Sequence, residues 1–305
     1  MTSLRFSPVI LEAEARLDAE YATHVGFCSA VHHVVDFLQA LPQTFSFRWA
    51  DAGPGQGPTG FGDPEWERAQ SLEEFGRAGA ELKALAYSSS YAVFQVYQGL
   101  IEAMNDAKYL LAIQCTRTLL EHAAYQNDMY ERVAAITRGL DVKVTGTFYG
   151  RSLEMRLLLI KLFEQKRFDT AALGEDTPEK ILAMGENISE DSRATNILTL
   201  IDKLLPEGKS YRVIYSLLSE YVHPNLGSRV MFYQPPHPAV SGAATGFWTV
   251  SSEIGRPECI DHTLAVISGP VVSLSKMVEV HTEGLLAIGG LLESYSPAQD
   301  GGLPR

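Results

Sequence analysis

The sequence predicts a mainly α-helical protein, and three observations support this. Apolar residues recur at steps of three and four over several long segments. Strand-like runs are confined almost entirely to a short region near residues 228–252. With 305 residues, 46% of them hydrophobic, the chain is long enough to bury a sizeable core. We therefore predict an all-α helical bundle with a small β-hairpin insertion near 228–252.

The composition excludes several classes of protein. The chain holds 37 acidic and 25 basic residues, and its formal net charge is -12. This charge has the wrong sign for a small basic DNA-binding module, and the hydrophobic content is too high for a disordered chain. Cys28, Cys115 and Cys259 are too few and too widely spaced for a disulfide framework or a zinc knuckle. They predict three thiols in a reducing compartment.

The N-terminal part, residues 1–45, is expected to be helical. Its clearest apolar stripe ends at Pro42 and comprises Phe27, Val31, Val34, Leu38 and Leu41. Residues 43–63 are rich in glycine and proline and predict a linker to the main bundle, 64–296. Gly55 to Gly60 within it match the dinucleotide-binding pattern GxGxxG, but neither a strand nor a helix flanks them, so we expect no nucleotide site there.

Helices are predicted near 65–86, 88–105, 178–188, 193–204 and 209–223. The segment 153–163 is apolar nearly all round, which favours a central helix of the bundle. A further stripe predicts a helix that ends near Gly139; its members are Leu111, Cys115, Thr118, His122, Tyr125, Met129, Val133, Ile136 and Leu140.

The longest stripe lies near the C-terminus and predicts a helix of about 35 residues. Pro270 is expected to kink or divide this helix near Ser268. Charged residues and a histidine interrupt the apolar run, so we expect no membrane span; with no apolar leader at the N-terminus, the prediction is a cytoplasmic protein. Residues 297–305 are predicted to be a disordered tail. The stripe comprises Leu264, Ile267, Val271, Leu274, Val278, His281, Leu285, Ile288 and Leu292.

Strand signals flank a loop rich in proline, glycine and alanine. Residues 228–233 and 246–251 could pair as a hairpin, and 142–149 is a weaker strand candidate. Trp248 lies in this region and could cover a ligand held between helices.

Charge is segregated along the chain. Seven acidic residues lie between Asp169 and Asp191, whereas eight basic residues lie between Arg132 and Arg167 against three acidic ones. The basic segment is interpreted either as a solvated face with ion pairs or as an anion-binding groove for phosphate or nucleic acid.

Two sets of histidines were considered as ligands or bases. His24, Cys28, His32 and Asp36 follow one another every four residues. Such a row drifts around the helix axis, so only neighbouring pairs could share a metal, and we expect no metal and no cofactor. His122 and His281 lie within apolar stripes and are interpreted as core residues, and Arg117 and Glu121 are expected to pair along their helix.

The segment 211–225 is the most informative stretch. On a helix, one side is predicted to carry Arg212, Tyr215, Ser216, Ser219 and His223, and the other Ile214, Leu217, Leu218 and Tyr221. One interpretation is a histidine that caps the helix before Pro224. The other is a polar pocket centred on His223, with Tyr215, Ser219, Glu121 and Asn225 as binding groups.

Two short motifs, Arg117-Thr118-Leu119-Leu120-Glu121 and the segment from Tyr215 to Pro224, resemble a group of mostly bacterial helical proteins related to the HEPN superfamily. The resemblance spans roughly residues 70–295. It implies a helical bundle, often dimeric, and for many members an action on RNA in defence systems. The HEPN nuclease motif is an arginine followed four to six residues later by a histidine.

The chain departs from this motif before His223, because positions 216–218 hold Ser, Leu and Leu. The spacing occurs at Arg117–His122 and Arg256–His262, as chance alone would allow. For a metal-independent ribonuclease, Arg117 and His122 are the candidates by motif. Arg212 and His223 are the candidates by chemistry, with histidine as general acid–base and arginine holding the phosphate.

Three functions are compatible with the sequence. An RNA-directed protein of bacterial defence or stress response predicts that Arg117, Arg212 and His223 converge in a cleft. A catalytically silent protein, acting through a protein partner or a second copy of itself, predicts that these residues are mutually hydrogen-bonded and that an apolar patch is exposed elsewhere. A small-molecule-binding bundle predicts an enclosed aromatic pocket.

Overall fold

The described part of the chain is helical almost throughout, as predicted. The structure is a computed structural model, and it describes residues 4–21, 26–47, 63–140, 145–164, 195–204, 209–223, 229, 231–234, 249–250 and 257–295. Its helices are α1 (Pro8–Tyr21), α2 (Phe27–Ala40), α3 (Pro64–Asn105), α4 (Tyr109–Thr137), α5 (Thr145–Glu164), α6 (Ile197–Asp202), α7 (Lys209–Val222) and α8 (Pro257–Ser294).

Two short strands accompany these helices. β1 (Tyr233–Gln234) and β2 (Thr249–Val250) pair antiparallel, with Tyr233 opposite Val250. The segment between them, Trp248 included, lies outside the described residues, as do the predicted helix at 178–188 and the predicted tail. The strand proposed for 142–149 is wrong in its described portion, because residues from Thr145 onward begin α5. Phe148 is buried there against Phe75, at 4.7 Å between ring centroids, so tertiary packing overrides the local β-propensity.

The chain divides into two compact units, each built from three separate sections. Unit 1 contains residues 1–43, 89–125 and 201–280, and unit 2 contains residues 44–88, 126–200 and 281–305. In unit 1, the predicted stripe of α2 is buried from Phe27 to Leu38. The fully buried Tyr97 shares a hydrogen bond of 2.8 Å with Ser275.

Unit 2 is organised around a close approach of α3 and α8. A Cβ atom placed on Gly79 would lie 2.5 Å from the carbonyl oxygen of Gly289 and 2.7 Å from the backbone nitrogen of Glu293. An ion pair between Lys83 and Glu293 joins the same two helices. Backbone contact of this kind requires residues without a side chain.

An ion pair also connects α3 to α5 inside unit 2. Glu81 is fully buried, and its Oε1 accepts a hydrogen bond of 3.2 Å from Arg156 Nη1. The same Arg156 atom lies 3.8 Å from Glu74 Oε2. Burial raises the pKa of the Glu81 carboxyl, although Arg156 acts in the opposite direction. Removal of either partner would leave an uncompensated buried charge.

Both long helices are continuous where breaks were expected. α3 runs through 86–88, where two helices were predicted, because that junction contains neither glycine nor proline, and the hydroxyl of Ser88 bonds the Leu85 carbonyl. Pro270 does not divide α8, because Ile267 and Val271 on either side of it are fully buried and hold the helix together. The predicted α8 stripe is otherwise confirmed, with Ile288 half-buried. By length and composition alone, Glu258–Ser294 would suffice to cross a membrane, a test that core helices of soluble proteins also pass.

The predicted stripes of α4 and α5 are wrong in part. On the first half of α4, Leu111 is exposed, and the buried face is displaced by one residue onto Ala112, Thr116, Leu119 and Ala123. Ile113 and Leu120 are fully buried beside these residues, so the buried face is wider than the predicted stripe. α5 is not enclosed as a central helix would be. Its outer face leaves Leu153 and Leu157 exposed.

The close approach at Gly79 predicts opposite effects of two identical substitutions. Gly79→Ala should lower the free energy of unfolding by about 1–3 kcal/mol, because the new methyl group meets backbone atoms that cannot move aside. Gly150→Ala in α5 should raise it by about 0.5–1 kcal/mol, since nothing lies within 4 Å of the added Cβ. Urea unfolding followed by circular dichroism measures both; a stabilising Gly79→Ala would contradict the packing.

His281 predicts a dependence of stability on pH. Its ring is buried and stacks on Tyr130 at 5.3 Å, and burial lowers its pKa below the usual value. His281 therefore binds a proton more readily in the unfolded chain than in the folded one. The free energy of unfolding should fall as the pH drops below about 6.5. In thermal unfolding across this range, His281→Leu should give a shallower slope than wild type. It should not be flat, because burial also lowers the pKa of His32 and His122. Parallel curves would refute the assignment.

Candidate functional site

Three of the residues predicted to form a site come together in unit 1. Arg117 Nη2 donates a hydrogen bond of 2.6 Å to the Tyr215 hydroxyl, and that hydroxyl donates one of 3.0 Å to Glu121 Oε1. Arg117 Nε lies 3.5 Å from the same carboxylate oxygen, as the spacing along α4 had predicted. The Arg117 guanidinium carbon is also 4.8 Å from the centroid of the Tyr215 ring. These residues form a closed cluster, here called the Arg117 cluster, between α4 and α7.

The geometry of α7 explains why Tyr215 reaches α4. The buried face of this helix is Tyr211, Tyr215, Leu218 and Tyr221, at steps of four, three and three. Tyr215 is therefore buried, unlike Arg212 and Ser216 with which it had been grouped on a polar side, and Leu217 is exposed, unlike Leu218. Tyrosine can bury its ring and still offer a hydroxyl to polar partners, so it can take core positions on this helix.

The remaining polar groups of α7 are satisfied locally. Ser216 Oγ donates to the Arg212 carbonyl at 2.9 Å, and Ser219 Oγ donates to the Tyr215 carbonyl at 2.7 Å. The exposed Arg212 forms an ion pair with Asp202 at the end of α6. His223 is exposed just beyond α7, and its backbone N–H donates to Ser219. Asn225, predicted to bind beside His223, lies outside the described residues.

The candidate pairs of arginine and histidine do not converge. Arg117 and His122 are five residues apart on the unbroken α4, and therefore point about 140° away from each other. Arg212 and His223 lie on one side of α7 but are separated by about 16 Å along its axis, too far to contact one phosphate. His122 is half-buried, and burial lowers its pKa while Glu121 acts in the opposite direction. Within one chain, neither pair can hold and protonate the same phosphate.

A different histidine has a long-range partner that the sequence did not indicate. The Tyr221 hydroxyl and His262 Nε2 are 2.7 Å apart. His262 had been noted only for its spacing from Arg256, which lies outside the described residues. No periodic signal relates α7 to α8, so this contact could not be found from the sequence.

Three of the described cations in the basic segment 132–167 are held in ion pairs, whereas Arg138 is exposed. In its described part, Arg156 is held by Glu81, Arg151 lies 3.1 Å from Glu154, and Arg132 lies 3.4 Å from Asp128. Lys161 has no ion-pair partner among the described residues. This segment therefore follows the first interpretation, a face laced with ion pairs, more closely than the second.

The row of possible metal ligands on α2 is occupied by other contacts. His32 Nε2 accepts a hydrogen bond of 3.2 Å from the backbone of Phe6, and Asp36 pairs with Arg5 at 3.0 Å. Burial, reinforced by Glu14, raises the pKa of the Cys28 thiol well above its usual range. His24 lies outside the described residues. Among those described, no three histidine, cysteine or carboxylate side chains are grouped as metal ligands.

The Tyr215 hydroxyl should be the link that joins Arg117 and Glu121 to α7. Tyr215→Phe keeps the ring but removes both hydrogen bonds, and should lower the free energy of unfolding by about 1–2 kcal/mol. Ser216→Ala on the same helix is the control, since its exposed hydroxyl serves only its own helix, and should change stability by less than about 0.5 kcal/mol. Equal effects of the two substitutions in urea unfolding would argue against the cluster.

Comparisons of the chain with protein-family models, with curated proteins and with solved structures give no match. The relationship to the HEPN superfamily is therefore supported only by the two short motifs around Arg117 and His223. Any function has to be argued from the geometry of the described residues.

Proposed function

We propose that this chain is a catalytically silent, HEPN-like helical protein that acts through contacts with other protein surfaces. The observation that carries the proposal is the Arg117 cluster. An arginine that stabilises a phosphate transition state must offer its charge to the substrate. Arg117 offers it instead to Glu121 and Tyr215, which suits a structural link between α4 and α7.

The two candidate arginine–histidine pairs, both of which the structure describes, do not converge, and this argues in the same direction. General acid–base catalysis requires the histidine within hydrogen-bonding reach of the atom that it protonates, while the arginine holds the same group. His122 points away from Arg117, and His223 is three helical turns from Arg212. The alternative of a small-molecule site depended on the loop around Trp248, which lies outside the described residues.

The exposed surface offers the apolar contacts that a protein partner requires. Leu153 and Leu157 are exposed one turn apart on α5, and Val213 and Leu217 are exposed one turn apart on α7. Apolar side chains at such spacing form stripes that association with another surface would remove from water. The two stripes belong to units 2 and 1 respectively.

We further propose that the protein is cytoplasmic. Cys28, Cys115 and Cys259 are all free thiols, as expected in a reducing compartment. The apolar stripe of α8 is packed inside the protein, as expected of a core helix. The family resemblance implies a bacterial defence or stress system as the setting for the proposed contacts.

An assay for ribonuclease activity tests the proposal directly. We expect total bacterial RNA incubated with the purified full-length chain to stay intact, and expression to leave growth unchanged with or without phage. Arg117→Ala, His122→Ala and His223→Ala should behave as wild type in both assays. RNA cleavage by the wild type that is lost in Arg117→Ala or His122→Ala, with helicity retained by circular dichroism, would overturn the proposal. Loss of that cleavage in His223→Ala would overturn it equally, and His33→Ala provides the matched control, because His33 is exposed on α2 and belongs to neither candidate pair.

A further inference from the structure

The outer face of α5 combines exposed leucines with a groove. Leu157 is 69% exposed and Leu153 44%, although both lie in the middle of a 20-residue helix. Beside them a cavity of about 370 Å³ opens between α4 and α5. Its apolar lining consists of the buried Ile136 and Leu158 with the exposed Ala135 and Leu157. A soluble protein gains by removing such a surface from water.

Two opposite charges frame this face. Glu154 and Lys161 both line the groove and are seven residues, or about two helical turns, apart. Lys161 has no ion-pair partner in the part of the chain that the structure describes. Glu154 pairs with Arg151, but both side chains are largely exposed, and an ion pair of this kind is weak enough to be exchanged.

We propose that the α5 face binds a second copy of this chain, with the two α5 helices antiparallel. The proposal rests on the proposed function, for which it names the partner and the surface. A two-fold axis that crosses α5 midway between Leu157 and Leu158 brings Glu154 of each copy level with Lys161 of the other, because both lie 3.5 residues from that point. Symmetry then forms the ion pair twice.

The same register fills the groove. Each Leu157 meets the second copy at the level of Leu158, which forms part of the groove floor. The exposed ridge of one copy thus enters the depression of the other, while the two ion pairs lie at the rim. Buried apolar contacts at the centre with polar contacts at the rim are the usual arrangement of a protein interface.

Other occupants fit this surface less well. A small anion with an apolar tail would meet Lys161 and Arg132, but also the carboxylate of Glu154 and the existing contact of Arg132 with Asp128. On α7, Arg212 beside the apolar stripe is committed to Asp202. The charge pattern of α5 is self-complementary, which favours a second copy of the same helix.

The oligomeric state of the full-length chain tests the proposal. Sedimentation velocity over a range of concentrations should show a monomer–dimer equilibrium for the wild type. Leu157→Glu should raise the dimer dissociation constant by about tenfold or more, because it places a charge at the centre of the interface. Leu111→Glu is the matched control, since Leu111 is 44% exposed on α4 and lies about 30 Å along that helix from the groove, and it should leave the dissociation constant unchanged. Both positions are exposed, so helicity and melting temperature should match wild type.

A charge swap tests the antiparallel register itself. Glu154→Lys and Lys161→Glu should each weaken the dimer, because each places like charges opposite one another. The double variant restores both ion pairs with reversed sign and should recover most of the wild-type affinity. A parallel arrangement would bring each residue next to its own copy, so the double variant would then bring no recovery.

The possible outcomes separate this inference from the proposed function. A dimer that is insensitive to Leu157→Glu and to the charge swap would overturn the α5 surface while leaving a silent interaction protein in place. A wild type that stays monomeric at every concentration would overturn self-association. A monomer that binds a medium-chain fatty acid, lost in Lys161→Glu, would assign the groove to a small anion instead. RNA cleavage would overturn the proposed function and leave the dimer measurement to stand on its own.

Discussion

The backbone contact between Gly79 and Gly289 is the constraint on which unit 2 depends. α3 and α8 can approach this closely only where both carry glycine, because a Cβ atom at the crossing point would overlap the opposite backbone. The crossing brings Lys83 of α3 to Glu293 of α8, one helical turn beyond each glycine. It also fixes the face of α3 that carries Glu81, to which Arg156 of α5 is bound. A steric condition at two glycines thus determines where buried charges can be matched.

The parts of the fold that could be predicted from the sequence are those whose buried faces consist of large aliphatic residues. The stripes of α2 and α8 are of this kind, and both are buried as expected. The prediction for α4 failed because its buried face is wider than one stripe: Ile113, Leu119 and Leu120 are buried there together with Ala112, Thr116 and Ala123. α5 was misread for the opposite reason. The sequence shows that Leu157 is apolar and that its burial would be favourable, but it does not show whether another part of the same chain packs over it.

In the candidate site, contacts within one helix could be predicted from the sequence, whereas contacts between helices could not. The contact between Arg117 and Glu121 followed from their spacing of four on one helix. Tyr215 joins them from 98 residues away, and Arg212 finds Asp202 across a helix boundary. Neither partner could be assigned from a pattern within one element. Each of these contacts engages an arginine. The predicted site is therefore a set of paired side chains and not a pocket with free cations.

The pairing of arginines with carboxylates bears on whether the basic residues could bind nucleic acid. Binding to nucleic acid draws its free energy from cations that replace the counterions of several phosphates at once. A guanidinium already held by a carboxylate brings little net charge to that exchange, and Arg117, Arg132, Arg151, Arg156 and Arg212 are all held in this way. In the described part of 132–167, three of the five basic residues are held within the fold, and Arg138 and Lys161 have no ion-pair partner there. Lys161 lies beside exposed leucines and is opposite in sign to Glu154, and that combination suits a protein surface better than a phosphate backbone.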